Sequence, residues 1–207
     1  MRLASEDLDK YERIKQLERL GFNVPLLRRI PCGTKFDDKL ERKLMKFAGD
    51  RRLMTVRTYA ATMEKLHGGG PFFPEVTVRT AIAKVRQFVP RYHVLFQEAV
   101  DVNRTRLVGR TLFNPAEKNY FDVLRGKVRV RDLDNPPRGT KLLAGFYSVA
   151  EEVADPDIRD VLVHLHRIPF ALREPNPIVV EWNLQDASDL VGIKNEPFLL
   201  WEWRPGS

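Results

Sequence analysis

Two glutamates sit where the surrounding residues are apolar: Glu181 in Ile178-Val179-Val180-Glu181-Trp182, and Glu202 in Phe198-Leu199-Leu200-Trp201-Glu202-Trp203-Arg204. A carboxylate in such a setting needs a partner. A shared metal ion would satisfy both, and an ion pair with Arg204 would satisfy either; the pattern leaves the two open. Lys10 poses the mirror question. At about 100° per residue it falls within about 20° of Leu17, inside the Tyr11 to Leu20 apolar arc of a helix, so it faces inward. Its ammonium either snorkels to solvent or meets an anion, whereas Lys15 lies outside the arc and reads as solvated.

Other constellations carry less. His67-Gly68-Gly69-Gly70 is similar to the oxyanion loop of lipases, but that chemistry needs a Gly-x-Ser-x-Gly elbow, which the chain lacks. Ser148, in Gly145-Phe146-Tyr147-Ser148, has the wrong context. His164 and His166 lie two apart on an expected helix, about 200° around its axis, and cannot chelate one metal together. Cys32 is the single cysteine, so no internal disulfide and no cysteine-rich zinc site can form. The alternation Lys127, Val128, Arg129, Val130, Arg131 reads as a strand with three cations on one face, a candidate surface for nucleic acid.

The elements that must position these residues follow from spacing. A helix is expected over 6–20, with Ser5 as cap and Gly21 as stop, and a second through Phe36, Leu40, Leu44 and Phe47, ended by Gly49. A short strand follows at Leu53 to Thr58. His67 to Pro71 is expected to be a loop, because three consecutive glycines favour neither helix nor strand. Val76, Ile82, Val85 and Val89 suggest a third helix. From Tyr92 the pattern changes to β-rich runs: Tyr92 to Val100, Arg106 to Phe113, Tyr120 to Leu124 and Gly126 to Asp132. Helices return after Gly145, with Asp155-Pro156 as cap and first turn before Ile158, Val161, Leu162, Leu165 and Ile168. Strands at Pro177 to Trp182 and Pro197 to Trp203 finish the chain. The change of pattern divides it into an N-terminal lobe over 1–90 and a sheet-rich lobe over 91–207.

The 207 residues are enough to bury a core, and 43% hydrophobic with 30% charged is a globular balance that argues against disorder. No apolar run approaches the length of a bilayer span, and the acidic N-terminus does not read as a secretory signal. With one cysteine this implies a reducing cytoplasm and no membrane partner. The net charge of +7 should attract polyanions, whether nucleotide phosphates or nucleic acid.

Several of these segments, taken in order, resemble the ATP-binding domain of phosphoenolpyruvate synthase and pyruvate phosphate dikinase, a branch of the ATP-grasp superfamily. Lys10, then Leu17-Glu18-Arg19-Leu20-Gly21-Phe22-Asn23-Val24-Pro25, resembles the family's opening lysine, helix and Gly-Leu-Pro-Val-Pro turn. Val56-Arg57-Thr58 resembles Val-Arg-Ser. Phe96-Gln97-Glu98-Ala99-Val100 stands where the family has its adenine-contacting hinge, and Asn114-Pro115 matches a later Asn-Pro. Val180-Glu181-Trp182 is similar to Ile-Glu-Trp, and Leu200-Trp201-Glu202-Trp203-Arg204-Pro205 to Leu-Leu-Gln-x-Arg-Pro. Two positions depart: Val179 replaces an aspartate, and Glu202 replaces a glutamine.

The resemblance implies an α+β, ATP-grasp-like fold of two lobes with a nucleotide cleft between an N-terminal α/β lobe and a C-terminal sheet-rich lobe. It implies ATP and Mg2+ as ligands. Lys10 and Arg57 would hold phosphates, Gln97, Glu98 and Val100 would line the nucleotide, Glu181 and Glu202 would bind the metal, and Arg57 and Arg204 would neutralise charge during phosphoryl transfer. The family continues into a histidine-bearing domain beyond the matched region, so the implied function is phosphate transfer from Mg-ATP to a separate acceptor, a histidine carrier or a small molecule. Two alternatives stay open: a non-catalytic basic module of the same fold that binds nucleic acid or a partner protein, and an ATP-grasp ligase that makes an acyl-phosphate.

Overall fold

The computed structural model describes residues 8–60, 69–186 and 198–206. In chain order its main elements are α1 (Lys10–Arg19), β1 (Leu27–Ile30), α2 (Asp38–Ala48), β2 (Leu53–Ala60), β3 (Gly69–Thr77), α3 (Val78–Phe88), β4 (Tyr92–Glu98), β5 (Thr105–Phe113), β6 (Asn119–Arg125), β7 (Leu142–Tyr147), α4 (Pro156–Leu165), α5 (Arg167–Leu172), β8 (Ile178–Gln185) and β9 (Phe198–Pro205). They form two compact units: Pro25–Asp101, and a discontinuous unit joining the residues up to Val24 with those from Val102 onward. Among the described residues no helix is long and apolar enough to cross a membrane.

In Pro25–Asp101 an antiparallel sheet of order β1-β4-β2-β3 buries one face under α2 and α3. Both helices are set by local chemistry. The Asp37 carboxylate accepts the Leu40 N–H at 2.8 Å, the Thr77 hydroxyl accepts the Thr80 N–H at 3.3 Å, and α2 stops at Gly49, whose φ of 55° suits glycine. The four- and three-residue spacing of Leu40, Leu44 and Phe47 turns α2 onto a cluster that includes Ile30, Met54, Val56, Val85 and Phe96.

β4 pairs with both β1 and β2, so it lies inside this sheet. Tyr92 to Val100 was expected to open the second lobe, and the expected boundary near residue 90 falls within this unit, between α3 and β4. Burial of Val94 and Phe96 in the same cluster as α2 and α3 accounts for β4's place.

The glycine stretch is also not simply a loop: Gly69, Gly70 and Pro71 open β3, while His67 and Gly68 lie outside the described residues. Gly70 is required there, because a Cβ would lie 2.9 Å from the Thr58 carbonyl oxygen, and the Thr58 hydroxyl donates to the Pro71 carbonyl at 2.9 Å.

The other unit carries an antiparallel sheet of order β7-β6-β5-β8-β9. Pairing places Gly109, Trp182 and Phe121 on one face and Arg110, Glu181 and Asp122 on the other. The first face packs on α4 and α5: the His166 ring, at their junction, meets Phe113 at 5.5 Å and Tyr147 at 5.7 Å. Gly109 leaves room for the Trp182 indole, whose Nε1 donates to the Thr111 hydroxyl at 3.0 Å. Asp155 caps α4 as expected, by accepting the Ile158 N–H. The helix stops at Leu165, so the stripe from Ile158 to Ile168 spans two helices.

Several expectations fail in this unit. Gly126 to Asp132 is not a strand: Gly126 turns the chain at φ 111°, the Asp132 carboxylate accepts the Arg129 N–H at 2.7 Å, and Val130–Leu133 is a 3-10 turn. Val128 and Leu133 tuck against Val108 and Leu124, so the three-cation strand face does not form. Gly145, expected to precede helices, lies in β7 opposite Phe121. At the N-terminus Asp9 caps α1, four residues later than expected, and Ser5 lies outside the described residues.

Candidate functional site

β8 and β9 are strands because Val179, Val180, Trp182 and Trp203 are β-favouring residues that bury on the sheet together with Leu199 and Leu200. Their register sets Glu181 directly opposite Glu202. Glu181 is in turn opposite Arg110 on β5, and Arg110 opposite Asp122 on β6, so one row of charge crosses four strands of one face. Side chains so opposed have Cβ atoms about 5 Å apart, and like charges in that relation repel. The row offsets its own repulsion. Lys10, reaching from α1, pairs with Glu202 at 2.8 Å, with Glu202's side chain 9% exposed and that of Lys10 25%. The two questions raised by the sequence thus answer each other: Lys10 meets an anion, and that anion is Glu202. At the other end the Arg110 guanidinium donates to Asp122 at 2.8 Å and to Asp134 at 3.0 Å. Burial opposes the Arg110 charge, but its bonds to these two carboxylates outweigh burial and raise its pKa above the ordinary arginine value.

Arg204 stands opposite Val179, two residues beyond Glu202 and therefore on the same face. Arg13, one helical turn after Lys10, has its guanidinium 5.8 Å from the Trp203 ring centre. Burial lowers the pKa of Arg13, Glu202 and Asp9 oppose the shift, and the positive charge of Arg204 adds to it. Lys10, Arg13, Glu181, Glu202, Arg204 and Arg110 thus form one charged assembly in this unit.

The remaining expected residues belong to Pro25–Asp101. Arg57 on β2 stands between Leu95 of β4 and Phe72 of β3 and is half-buried. Gln97 stands between Leu27 and Thr55, is 1% exposed, and has no hydrogen-bond partner for either side-chain amide atom among the described residues. Glu98 is engaged by Arg51 at 3.1 Å, and its N–H donates to the Leu26 carbonyl at 2.8 Å. Val100 follows the end of β4 and is half-buried.

Sequence reasoning missed Arg13, Arg110 and Asp122. Arg13 could have been found from its i+3 relation to the inward-facing Lys10. Asp122 breaks the apolar run Tyr120-Phe121-Asp122-Val123-Leu124, as Glu181 and Glu202 break theirs.

The opposed pair Glu181 and Glu202 fits a hard divalent cation only in part. Among the described residues no group of three His, Cys, Asp or Glu side chains converges to hold a metal by itself. Carboxylate oxygens are the donors that a hard cation such as magnesium takes, and one or two of them suffice where other oxygen ligands complete its shell.

No family model matches the chain, and no curated protein matches it in sequence. Its fold matches solved structures. D-alanyl-alanine synthetase A from Vibrio cholerae O1 biovar eltor str. N16961 is 12% identical, with 95% of this chain and 55% of that one covered, at a TM-score of 0.54. N5-carboxyaminoimidazole ribonucleotide synthetase, solved with ADP, is 10% identical over 96% of this chain and 45% of that one, with a TM-score of 0.55. A Ca. Korarchaeum cryptofilum protein solved with coenzyme A is 11% identical over 95% and 91%, with a TM-score of 0.50. The chain has the ATP-grasp fold, and it spans about half the length of the two synthetases. The fold is the one that the resemblance implied; its narrower assignment to the phosphoenolpyruvate synthase branch does not follow from these matches.

Proposed function

We propose that the chain binds Mg-ATP and transfers its γ-phosphoryl group to a carboxylate acceptor as the first half of an ATP-dependent ligation. The observation that carries this reading is the opposed pair Glu181 and Glu202, flanked by Lys10, Arg204 and Arg110 on one sheet face of an ATP-grasp fold. Carboxylates and cations ordered in this way suit phosphoryl transfer, which is catalysed by positioning and by neutralising charge on phosphate oxygens. Glu181 and Glu202 are proposed to hold magnesium, which would offset charge on the phosphates. Lys10 and Arg204 would bind phosphate oxygens; from Pro25–Asp101, Arg57 is proposed to do the same, and Gln97, Glu98 and Val100 to contact the base. In the transfer, a carboxylate oxygen of the acceptor bonds to the γ-phosphorus, the bond to the β,γ-bridging oxygen breaks, and ADP leaves. The resulting acyl-phosphate is the activated species of a ligation. The two synthetases named above support a carboxylate acceptor. The ordered motifs from Lys10 to Arg204 favour a second reading, a histidine on a separate carrier protein.

Thermal shift with Mg-ATP tests the binding step. At about one hundred times its dissociation constant, the ligand should stabilise the native state by about 2.7 kcal/mol. No shift at millimolar Mg-ATP would sink the proposal. Hydroxylamine then separates the acceptors: a carboxylate yields a hydroxamate together with ADP, whereas transfer to a histidine carrier yields labelled carrier and no hydroxamate.

A further inference from the structure

Among the described residues the two sheets have four edge strands, and three of them are guarded against further pairing. β1 carries Arg28 and Arg29. β3 carries Pro71 and Pro74, and register shifts break its pairing with β2. β9 carries Glu202, Arg204 and Pro205 and has α1 packed against it. β7 has none of these devices. Its sequence, Leu142-Leu143-Ala144-Gly145-Phe146-Tyr147, lacks charge and proline, and it pairs with β6 in unbroken register from Asn119–Tyr147 to Leu124–Leu142. That pairing occupies the backbone groups of alternate residues, so the others point out from the edge. Among the described residues, none of 142–147 makes a backbone hydrogen bond outside the sheet. On the face shared with Asp122, β7 also exposes large apolar side chains: Leu142 is 39% exposed and Phe146 70%.

The strand is complementary to itself. Antiparallel partners must keep the side chains of one face together, so two copies of β7 can pair only in registers that match residues an even number of positions apart. With a twofold axis at Ala144, Leu142 of each copy stands opposite Phe146 of the other, and the small Ala144 faces its own counterpart. The flanking charges agree. Arg138 and Lys141 precede the strand, Glu151 and Glu152 follow it, and all four are exposed. Antiparallel pairing brings the cations of one copy to the same end as the carboxylates of the other.

We propose that β7 is a dimerisation edge: two copies of this chain pair β7 to β7, antiparallel about Ala144, and join their five-stranded sheets into one continuous sheet. The inference does not depend on the Mg-ATP reading. Analytical ultracentrifugation of the wild type from micromolar to millimolar concentration should show a reversible dimer. Because the twofold repeats every contact, Leu142→Lys and Phe146→Glu should each raise the dimer dissociation constant by about tenfold or more. The double variant sets opposite charges across the interface twice and should recover most of the loss, a rescue specific to this register. Melting curves confirm that the variants fold. Ala144→Cys, in a Cys32→Ser background, tests the axis with both large side chains in place. Residues opposed in an antiparallel pair have Cα atoms about 4.5 to 5.5 Å apart, within reach of a disulfide, so mild oxidation should link two chains. Met45→Cys, exposed on α2, should not link in the same background. A wild type that stays monomeric at millimolar concentration overturns the proposal and leaves the edge to a strand of a different protein. A dimer whose dissociation constant neither charge substitution moves, or one that Ala144→Cys does not link, also overturns it.

Discussion

In the β7-β6-β5-β8-β9 sheet, charge crosses the strands in register: Glu202, Glu181, Arg110 and Asp122 lie side by side, and Lys10 and Asp134 close the row at its two ends. In the β1-β4-β2-β3 sheet the corresponding row is Arg29, Leu95 and Arg57, while two carboxylates sit at the periphery in the pairs Arg51–Glu98 and Arg86–Glu41. The first sheet therefore uses ionic contacts to keep its own strands compatible, and its stability should depend on each charge in the row. The second draws its stability from the apolar cluster under α2 and α3.

The largest effect should come from breaking the row at its centre. Arg110→Ala would leave the buried Asp122 carboxylate without its main partner, and the expected loss is about 3 to 5 kcal/mol in urea unfolding. A loss no greater than that of a surface pair would mean that the row is not coupled. The neighbouring residue probes the opposite face of the same strand. In Gly109→Ala the added methyl overlaps the Trp182 ring, which should cost about 1 to 3 kcal/mol by overpacking. Arg110→Ala exceeding Gly109→Ala would establish that the charged face carries more of the sheet's stability than packing at Gly109.

Asp155 gives a smaller effect with a defined pH dependence. Burial alone would raise the pKa of its carboxyl, but the Ile158 N–H and the Arg125 guanidinium outweigh burial and hold it below the ordinary value. Its contribution is therefore complete above about pH 4, the unfolded value, and is lost as pH falls through the lower folded value. Asp155→Ala should cost about 0.5 to 2 kcal/mol at neutral pH. Asp155→Asn, which keeps a capping oxygen but no charge, should flatten the fall in melting temperature below pH 4. The smallest effect belongs to the other unit: Arg86→Ala breaks an exposed pair with Glu41 and should change stability by less than about 1 kcal/mol. A larger loss there would blur the contrast between the sheets.

Much of this was legible in the sequence wherever one element decides its own fate. The apolar spacing of Leu40, Leu44 and Phe47, the Asp155 cap, and the inward direction of Lys10 need only helix geometry, and each appears in the structure. What failed depended on partners remote in sequence. β4 has strand character by itself, but its sheet is fixed by pairing with β1 and β2. Gly126 to Asp132 alternates like a strand and finds no strand partner, since Gly126 and Asp132 curl it into a turn over Val108 and Leu124. The candidate site divides in the same way. Glu181 and Glu202 stand out as acids in apolar runs, yet the partnership of Glu202 with Lys10 spans nearly the whole chain and no local pattern encodes it.

That span has a kinetic consequence. α1 docks on β9, while Pro25–Asp101 lies between them in the chain as a continuous segment with its own apolar cluster. On a ribosome, α1 leaves well before β9 and waits through the synthesis of more than a hundred residues for that part of its docking surface. The inserted segment can complete its local contacts during that interval, whereas the flanking unit must close a long loop before α1 gains anything. A chain stalled before β9 should therefore carry a protease-resistant core within 25–101 and a protease-sensitive α1, and extension through β9 should protect the helix last.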